Sequence, residues 1–153
     1  MKTIRERIIE GFIAQLETIN RANGYSIEIG KGRVFRGVPV IEQCNPPAAS
    51  VWELEEKRSR NTYGGTVRIL KLRVESAVEA HDDQHPLAVS NALLGDLEKA
   101  MMLYDSAMDM FVDDIQDVAA EVVHLPVDQQ LAAVMLDFEL HYTTEWGNPY
   151  KKA

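Results

Sequence analysis

One stretch near the C-terminus, Ala133–Thr143, constrains the fold more than any other part of the sequence. Apolar residues alternate there with mostly polar ones, and this period of two is typical of a β-strand with one buried face. The apolar positions are Val134, Leu136, Phe138, Leu140 and Tyr142. We therefore predict a long strand with one face on a core and the other face in water.

A second long run, Thr66–Val78, has the length to pair with this strand. The residues expected on its buried face, at alternate positions, are Leu70, Leu72, Val74 and Val78. Val67 and Ile69 fall on the opposite face, so the first half of this run is apolar on both faces or contains a bulge. The polar positions of the two runs carry opposite charges, at Lys71, Arg73, Asp137 and Glu139. Because opposite charges favour cross-strand pairing, we predict that the two runs are neighbouring strands.

Two amphipathic helices are predicted to cover one face of this sheet. Thr3 and Glu6 have the spacing of a capping box, and apolar residues at helical spacing then predict a helix over Ile4–Ala22. Proline is favoured in a first helical turn, and an apolar stripe predicts a second helix over Pro86–Leu103. The sequence thus predicts an α+β fold with a mainly antiparallel sheet, with residues 1–153 as a single domain.

Short segments before the long strands are predicted to extend the sheet. Two alternating runs, Tyr25–Ile29 and Arg33–Arg36, flank the glycine-bearing turn Gly30–Gly32 and predict a β-hairpin near the N-terminus. Val38–Ile41 predicts a short strand, which Pro39 restricts to an edge or to a strand start.

Other segments are predicted to lie outside the sheet. Glu55–Gly65 is polar and ends in glycine, which predicts a mobile loop. This loop carries the one dense basic cluster of the sequence, formed by Lys57, Arg58 and Arg60. A solvated loop tip and a contact with a partner are equally open for this cluster. Asp105–Glu121 allows a further helix with an acidic face, and the tail after Trp146 has no periodicity.

Composition and motifs narrow the function classes. The chain has 153 residues and a formal net charge of −8, which argues against a general nucleic-acid binder. Its one cysteine, Cys44, allows no internal disulfide and reads as a small core or loop residue. No run approaches the roughly 20 apolar residues of a transmembrane helix. No catalytic motif is present, so we predict no enzyme activity and no cofactor.

The segment His81–His85 is the densest group of potential metal ligands in the sequence. Two imidazoles and two carboxylates lie within it, and such groups bind divalent cations when they converge. A polar loop before a helix explains the same residues, because aspartates are favourable near a helix N-terminus. We favour this second interpretation and predict no metal site.

Six segments occur in an order that resembles the tail terminator (tail completion) proteins of long-tailed phages and related prophages. The segments are Ile4–Leu16, Val38–Val40, Val67–Val78, Leu87–Met101, Leu136–Tyr142 and Asn148–Tyr150. The resemblance covers most of the chain and implies a structural virion-assembly protein. A member of this family forms a hexameric ring that caps the tail tube, ends its polymerisation and presents a surface for head–tail joining.

The resemblance also implies the partners and the location. The partners would be further copies of the chain, a tail tube protein and a head-side connector protein. DNA would only pass through the lumen, with no sequence-specific binding, and no membrane would be involved. The protein would act in the cytoplasm of the bacterial host during assembly and then in the virion tail. The alternative is a small α+β ligand-binding or regulatory domain that uses His81–His85.

A ring contact is head-to-tail and therefore needs two different patches on each subunit. We predict that one patch is acidic and contains Met108, Met110, Asp113 and Asp114. Methionine suits irregular subunit contacts, although it equally fills gaps in a core. We predict that the second patch is basic and contains Lys31, Arg33 and Arg36.

Overall fold

A computed structural model describes residues 1–43, 45–107, 111–126 and 129–153, except for the side chains of 102, 103 and 105–107. Its helical elements are α1 (Ile4–Leu16), a 3₁₀ turn (Arg21–Asn23), α2 (Val40–Gln43) and α3 (Pro86–Ala107). Its strands are β1 (Val34–Arg36), β2 (Ala48–Arg60), β3 (Gly65–Glu79), β4 (Asp114–Val123), β5 (Leu131–Glu145) and β6 (Asn148–Lys152). The strands form a sheet in the order β1-β2-β3-β5-β4, and β6 pairs with the end of β5.

The two long strands are direct neighbours at the centre of the sheet, as the sequence predicts. β3 and β5 pair antiparallel along their whole length, with Arg73 opposite Asp137. The Arg73 guanidinium donates to both carboxylate oxygens of Asp137, at 2.8 and 3.1 Å. Val67 and Ile69 lie on the face of β3 opposite to the face that carries the buried residues Leu70, Leu72 and Val74. The bulge lies in the neighbouring strand β2, between Glu53 and Glu56.

The hydrophobic core lies between this sheet and helices α1 and α3. Phe12 of α1 makes edge-to-face contacts with Tyr104 of α3, at 5.4 Å, and with Phe138 of β5, at 5.7 Å between ring centroids. The Tyr104 hydroxyl donates to the Ile8 carbonyl at 2.9 Å. The predicted core positions Leu72, Phe138 and Leu140 are all buried. The α+β prediction is therefore confirmed, with α1 and α3 on the face that carries Phe138.

The first helix begins as predicted but ends earlier. The Thr3 hydroxyl accepts from the Glu6 N–H at 3.1 Å, so Thr3 is the N-cap. The carboxylate of Glu6 pairs with Arg36 instead of completing a capping box. The helix stops at Leu16, and the carbonyl of buried Ile19 accepts two backbone N–H groups, from Ile29 and Gly30.

The predicted N-terminal hairpin is wrong. Residues 25–29 form no strand, because their backbone donors are used elsewhere. The N–H groups of Ser26 and Ile27 donate to the carboxylate of Asp96 in α3, at 3.3 and 2.7 Å. Strand β1 pairs instead with β2, in parallel, with Val34 opposite Ala49. The sheet is therefore mixed and not purely antiparallel.

Two further segments differ from the predictions near the start of β2. Val38–Ile41 is not a strand, because the Gln43 N–H donates to the Pro39 carbonyl at 3.0 Å and closes the short helix α2. The predicted loop Glu55–Gly65 is wrong for its first part, which ends at Arg60. Its first part continues β2 and pairs with β3, where Lys57 lies opposite Ile69. Apart from Glu56, the charged side chains of this part are exposed to solvent, while the backbone remains hydrogen-bonded to the neighbouring strand.

The predicted helix over Asp105–Glu121 is also wrong from Asp114 onward. This part forms β4, which pairs antiparallel with β5. Ile115 and Val122 are partly buried against the core, whereas Val118 lies in a bulge and is exposed. Pairing with the edge of β5 that β3 leaves free thus keeps this segment extended as a strand. The tail, for which no structure was predicted, forms β6 on the same side of β5, after a turn at Gly147.

Candidate interaction surfaces

Two tight turns meet at one end of the sheet. In the turn between β2 and β3, the Asn61 side-chain oxygen accepts from the N–H groups of Tyr63 and Gly65, at 3.0 and 2.8 Å. Gly64 has a positive φ of 81°, a conformation that favours glycine. The Trp146 N–H, in the turn between β5 and β6, donates to the Gly64 carbonyl at 2.9 Å. These hydrogen bonds hold the two turns side by side.

Large aromatic side chains project from these turns into solvent. Tyr63 is 95% exposed and Trp146 is 59% exposed. The Arg60 guanidinium lies 4.6 Å from the centroid of the Trp146 ring, which places a cation over an aromatic face. We call Arg60, Tyr63 and Trp146 the basic–aromatic tip. Tyrosine, tryptophan and arginine are the residues that most often dominate binding energy in protein interfaces.

The other two basic residues of the predicted cluster lie beside this tip on β2. Lys57 and Arg58 are exposed and alternate between the two faces of the strand. Lys57 makes no ion pair within the described part of the chain, whereas Arg58 pairs with Glu56. The proposed partner contact of Lys57, Arg58 and Arg60 stays a prediction, but the structure places all three on an ordered strand.

Glu56 is the centre of a buried ion-pair network next to the core. Its side chain is only 3% exposed and accepts hydrogen bonds from Tyr142 and Arg58. Arg68 of β3 approaches it at 3.3 Å, and Arg5 of α1 approaches it at 3.7 Å. This site could not be predicted from the sequence, because Glu56 lies in a segment for which a loop is predicted.

The balance of charges keeps Glu56 ionised. Burial is the largest single influence and raises the pKa of Glu56, but the hydrogen bonds from Tyr142 and Arg58 and the nearby guanidinium groups together lower it by more. The net result is a pKa below the usual value. Burial, followed by the hydrogen bond to the Glu56 carboxylate, raises the pKa of Tyr142. The network therefore fastens α1, β2, β3 and β5 together as a charged structural element.

The predicted basic patch is largely occupied by contacts within the chain. The Arg36 guanidinium pairs with Glu6 and with Glu53, both at 2.7 Å. The hydrogen bond from Arg36 lowers the pKa of Glu6. Arg33 donates to two backbone carbonyls in the loop before β2, at 2.7 and 2.8 Å. Lys31 is exposed in a turn. A role of these three residues in self-association stays a prediction.

Of the predicted acidic patch, Asp114 begins the edge strand β4 and Asp113 directly precedes it, and the role of the patch in self-association stays a prediction. Asp114, Asp117 and Glu121 are exposed along β4. Asp113, just before the strand, accepts a hydrogen bond from the Thr143 hydroxyl at 2.9 Å and pairs with Lys152. Met108 and Met110 lie outside the described residues.

A groove of about 580 Å³ runs between α3 and β4. Its apolar lining includes Met101, Ile115 and Phe138, and its polar lining includes Glu98, Lys99 and Asp117. Met101 is itself 3% exposed, so this methionine is part of the core.

The loop His81–His85 is ordered by its own hydrogen bonds. The Gln84 side chain accepts from the His81 N–H at 3.1 Å, and Nδ1 of His85 accepts from the Leu87 N–H at 3.2 Å. Among the described residues, no group of three or more histidine, cysteine, aspartate or glutamate side chains could hold a metal ion. Cys44 lies outside the described residues. Over the described ranges, no helix is long and apolar enough to span a membrane.

No family model matches the chain, and no curated protein matches it. Among solved structures, this protein is similar to one chain of the structure described as "Virion of native gene transfer agent (GTA) particle", with 11% sequence identity and a TM-score of 0.37. The match covers 88% of this chain and 90% of the other. A TM-score this low does not establish a common fold.

Proposed function

We propose that this protein is a structural subunit of a virion, and that it caps a phage tail tube as a hexameric ring without catalysing a reaction. The observation that carries the proposal is the basic–aromatic tip. The tip is a group of exposed aromatic and basic side chains on two turns that a backbone hydrogen bond holds side by side. Such a patch is a mark of a protein-interaction surface.

The order of elements gives this proposal its specific form. The opening helix, the long strand β3, the helix α3 and the long strand β5 follow the order on which the resemblance to tail terminator proteins rests, whereas Val38–Val40, a short strand in that resemblance, leads into helix α2. In such a ring the tip would contact the tail tube or the head-side connector protein. The net charge of −8 suits a lumen through which DNA passes without adhering.

We predict that the double variant Tyr63→Ser, Trp146→Ser folds normally and fails to cap tail tubes. Both side chains are exposed, so the free energy of unfolding should fall by no more than about 1 kcal/mol in total. Loss of interface anchors should weaken binding to tube ends by roughly 30-fold or more. Thermal unfolding and the length distribution of tubes, assembled from the tail tube protein of the same genome, measure the two effects.

Leu87→Ser is the matched control, because Leu87 is 42% exposed but lies at the start of α3, away from the tip. This variant should cap tubes as the wild type does. Normal capping by the Tyr63, Trp146 variant would exclude the tip as the tube contact. A wild type that never limits tube length would refute the function itself.

A further inference from the structure

The sheet has two outer edges with free backbone groups. Strand β4 pairs only with β5, and its other side has no strand partner among the described residues. Strand β1 covers β2 only from Ala49 to Val51, so residues 54–60 of β2 have no outer partner in the described part of the chain. Unpaired N–H and C=O groups on an edge can pair with another chain.

The two edges carry opposite charges. β4 contains Asp114, Asp117 and Glu121 and no basic residue. The free segment of β2 presents Lys57, Arg58 and Arg60, of which Arg58 also pairs with Glu56 in the buried network, and one exposed acidic residue, Glu55, so its exposed charge is net positive. Like charges oppose the pairing of β4 with β4 or of β2 with β2. Only the contact between unlike edges is electrostatically favourable, and that contact is head-to-tail.

The strand directions fit the same contact. β2 runs antiparallel to β3, β3 to β5, and β5 to β4. The two edge strands therefore run in opposite directions. When β4 of one copy lies beside β2 of the next, the pairing is antiparallel and the sheet continues from subunit to subunit.

The cross-strand register indicates which residues meet. Lys57 lies opposite Ile69, Ile69 opposite His141, and His141 opposite Asp114, so Lys57 and Asp114 occupy the same row on opposite edges. We take the axis that relates the copies to lie along the strands, and a rotation about such an axis keeps this row level between copies. Asp114 of one copy then faces Lys57 of the next, and Asp113 faces Arg58, because antiparallel neighbours run in opposite order.

We propose that copies of this chain join head-to-tail by antiparallel pairing of β4 with the free edge of β2, with Asp114 opposite Lys57 and Asp113 opposite Arg58. This inference rests on the proposed function, since it names the subunit contact of the proposed ring. It assigns the basic side of the contact to β2 and not to Lys31, Arg33 and Arg36. Because these charges are exposed, association weakens as salt is raised.

Charge reversal at the two edges tests the contact by sedimentation velocity. The variant Lys57→Glu, Arg58→Glu has two acidic edges, and the variant Asp113→Lys, Asp114→Lys has two basic edges. Each variant alone should lose the fast-sedimenting species of the wild type. An equimolar mixture should regain it, because the two variants can alternate around a ring with an even number of subunits.

Arg21→Glu, Lys31→Glu is the control with the same change in net charge at exposed residues that lie outside both β2 and β4. It should assemble as the wild type does. Thermal unfolding of every variant identifies loss of folding, and a variant carrying all four edge reversals should assemble alone. Failure of the mixture and of this fourfold variant to assemble overturns the edge contact, and so does assembly of either edge variant alone.

A measurement of tube capping separates this inference from the proposed function. If the charge tests succeed but the wild type does not limit tube length, the edge contact stands and the capping function fails. If the wild type caps tubes and the edge variants assemble and cap equally well, the function stands and the edge contact fails. A wild type that remains monomeric at every concentration and salt overturns the edge contact in either case.

Discussion

Replacing Phe138 by alanine is expected to lower the free energy of unfolding by about 3–5 kcal/mol. Phe138 is 1% exposed and lies on β5 against Phe12 of α1, so it joins the sheet to the helical layer. Truncation removes the transfer free energy of the ring and leaves a cavity, because neither a strand nor a packed helix can collapse fully around it. Urea denaturation followed by circular dichroism measures the loss.

The comparison with Phe12→Ala and with the double variant shows whether the two rings act together. The edge-to-face pair should contribute a coupling of about 0.5–1.5 kcal/mol beyond the area that each ring buries. Tyr63→Ala serves as the control, because this aromatic side chain is 95% exposed. It should change stability by less than about 0.5 kcal/mol. A loss below about 1 kcal/mol for Phe138→Ala would contradict the position of the core.

The central elements could be predicted because their sequence pattern and their tertiary environment agree. β3 and β5 alternate along most of their length, so a shift by one residue would expose an entire apolar face. The charges at Arg73 and Asp137 then specified their pairing, and the ion pair is present. Thr3 and Pro86 marked the helix starts through local chemistry alone.

The edges of the sheet could not be predicted, because distant residues determine them. Residues 25–29 have strand-like alternation, but Asp96 of α3 takes two of their backbone donors. Residues 55–60 are polar enough for a loop, yet pairing with the apolar strand β3 keeps them extended. β4 shows a helical spacing of apolar residues, but the open side of β5 requires a strand partner.

The candidate surfaces were predicted unevenly for the same reason. The basic cluster on residues 57–60 was visible as a local run of charges, and so was the acidity of β4. The partnership of Trp146 with Arg60 was not visible, because two turns far apart in sequence meet only in the folded sheet. Arg36 had the expected charge but is neutralised by Glu6 and Glu53, which local sequence does not reveal.

Glu56→Gln is expected to lower the free energy of unfolding at pH 7 by about 3 kcal/mol, because removing one charge of a buried pair leaves its partners uncompensated. The Gln side chain keeps its size and can still accept a hydrogen bond from the Tyr142 hydroxyl. The lost contribution is therefore the negative charge, which faces Arg68 and Arg5. Glu55→Gln is the matched control on the neighbouring exposed residue and should change stability by less than about 0.5 kcal/mol.

The pH dependence distinguishes this charge from a packing effect. The pKa of Glu56 in the folded protein lies below its unfolded value of 4.5, so the ionised group contributes its full stability above about that pH. As the pH falls through the folded pKa, both states bind the proton and the contribution disappears. The difference in unfolding free energy between wild type and Glu56→Gln should thus be constant near neutrality and shrink below pH 4.5. A difference that stays unchanged on acidification would show that Glu56 stabilises the fold through packing and not through its charge.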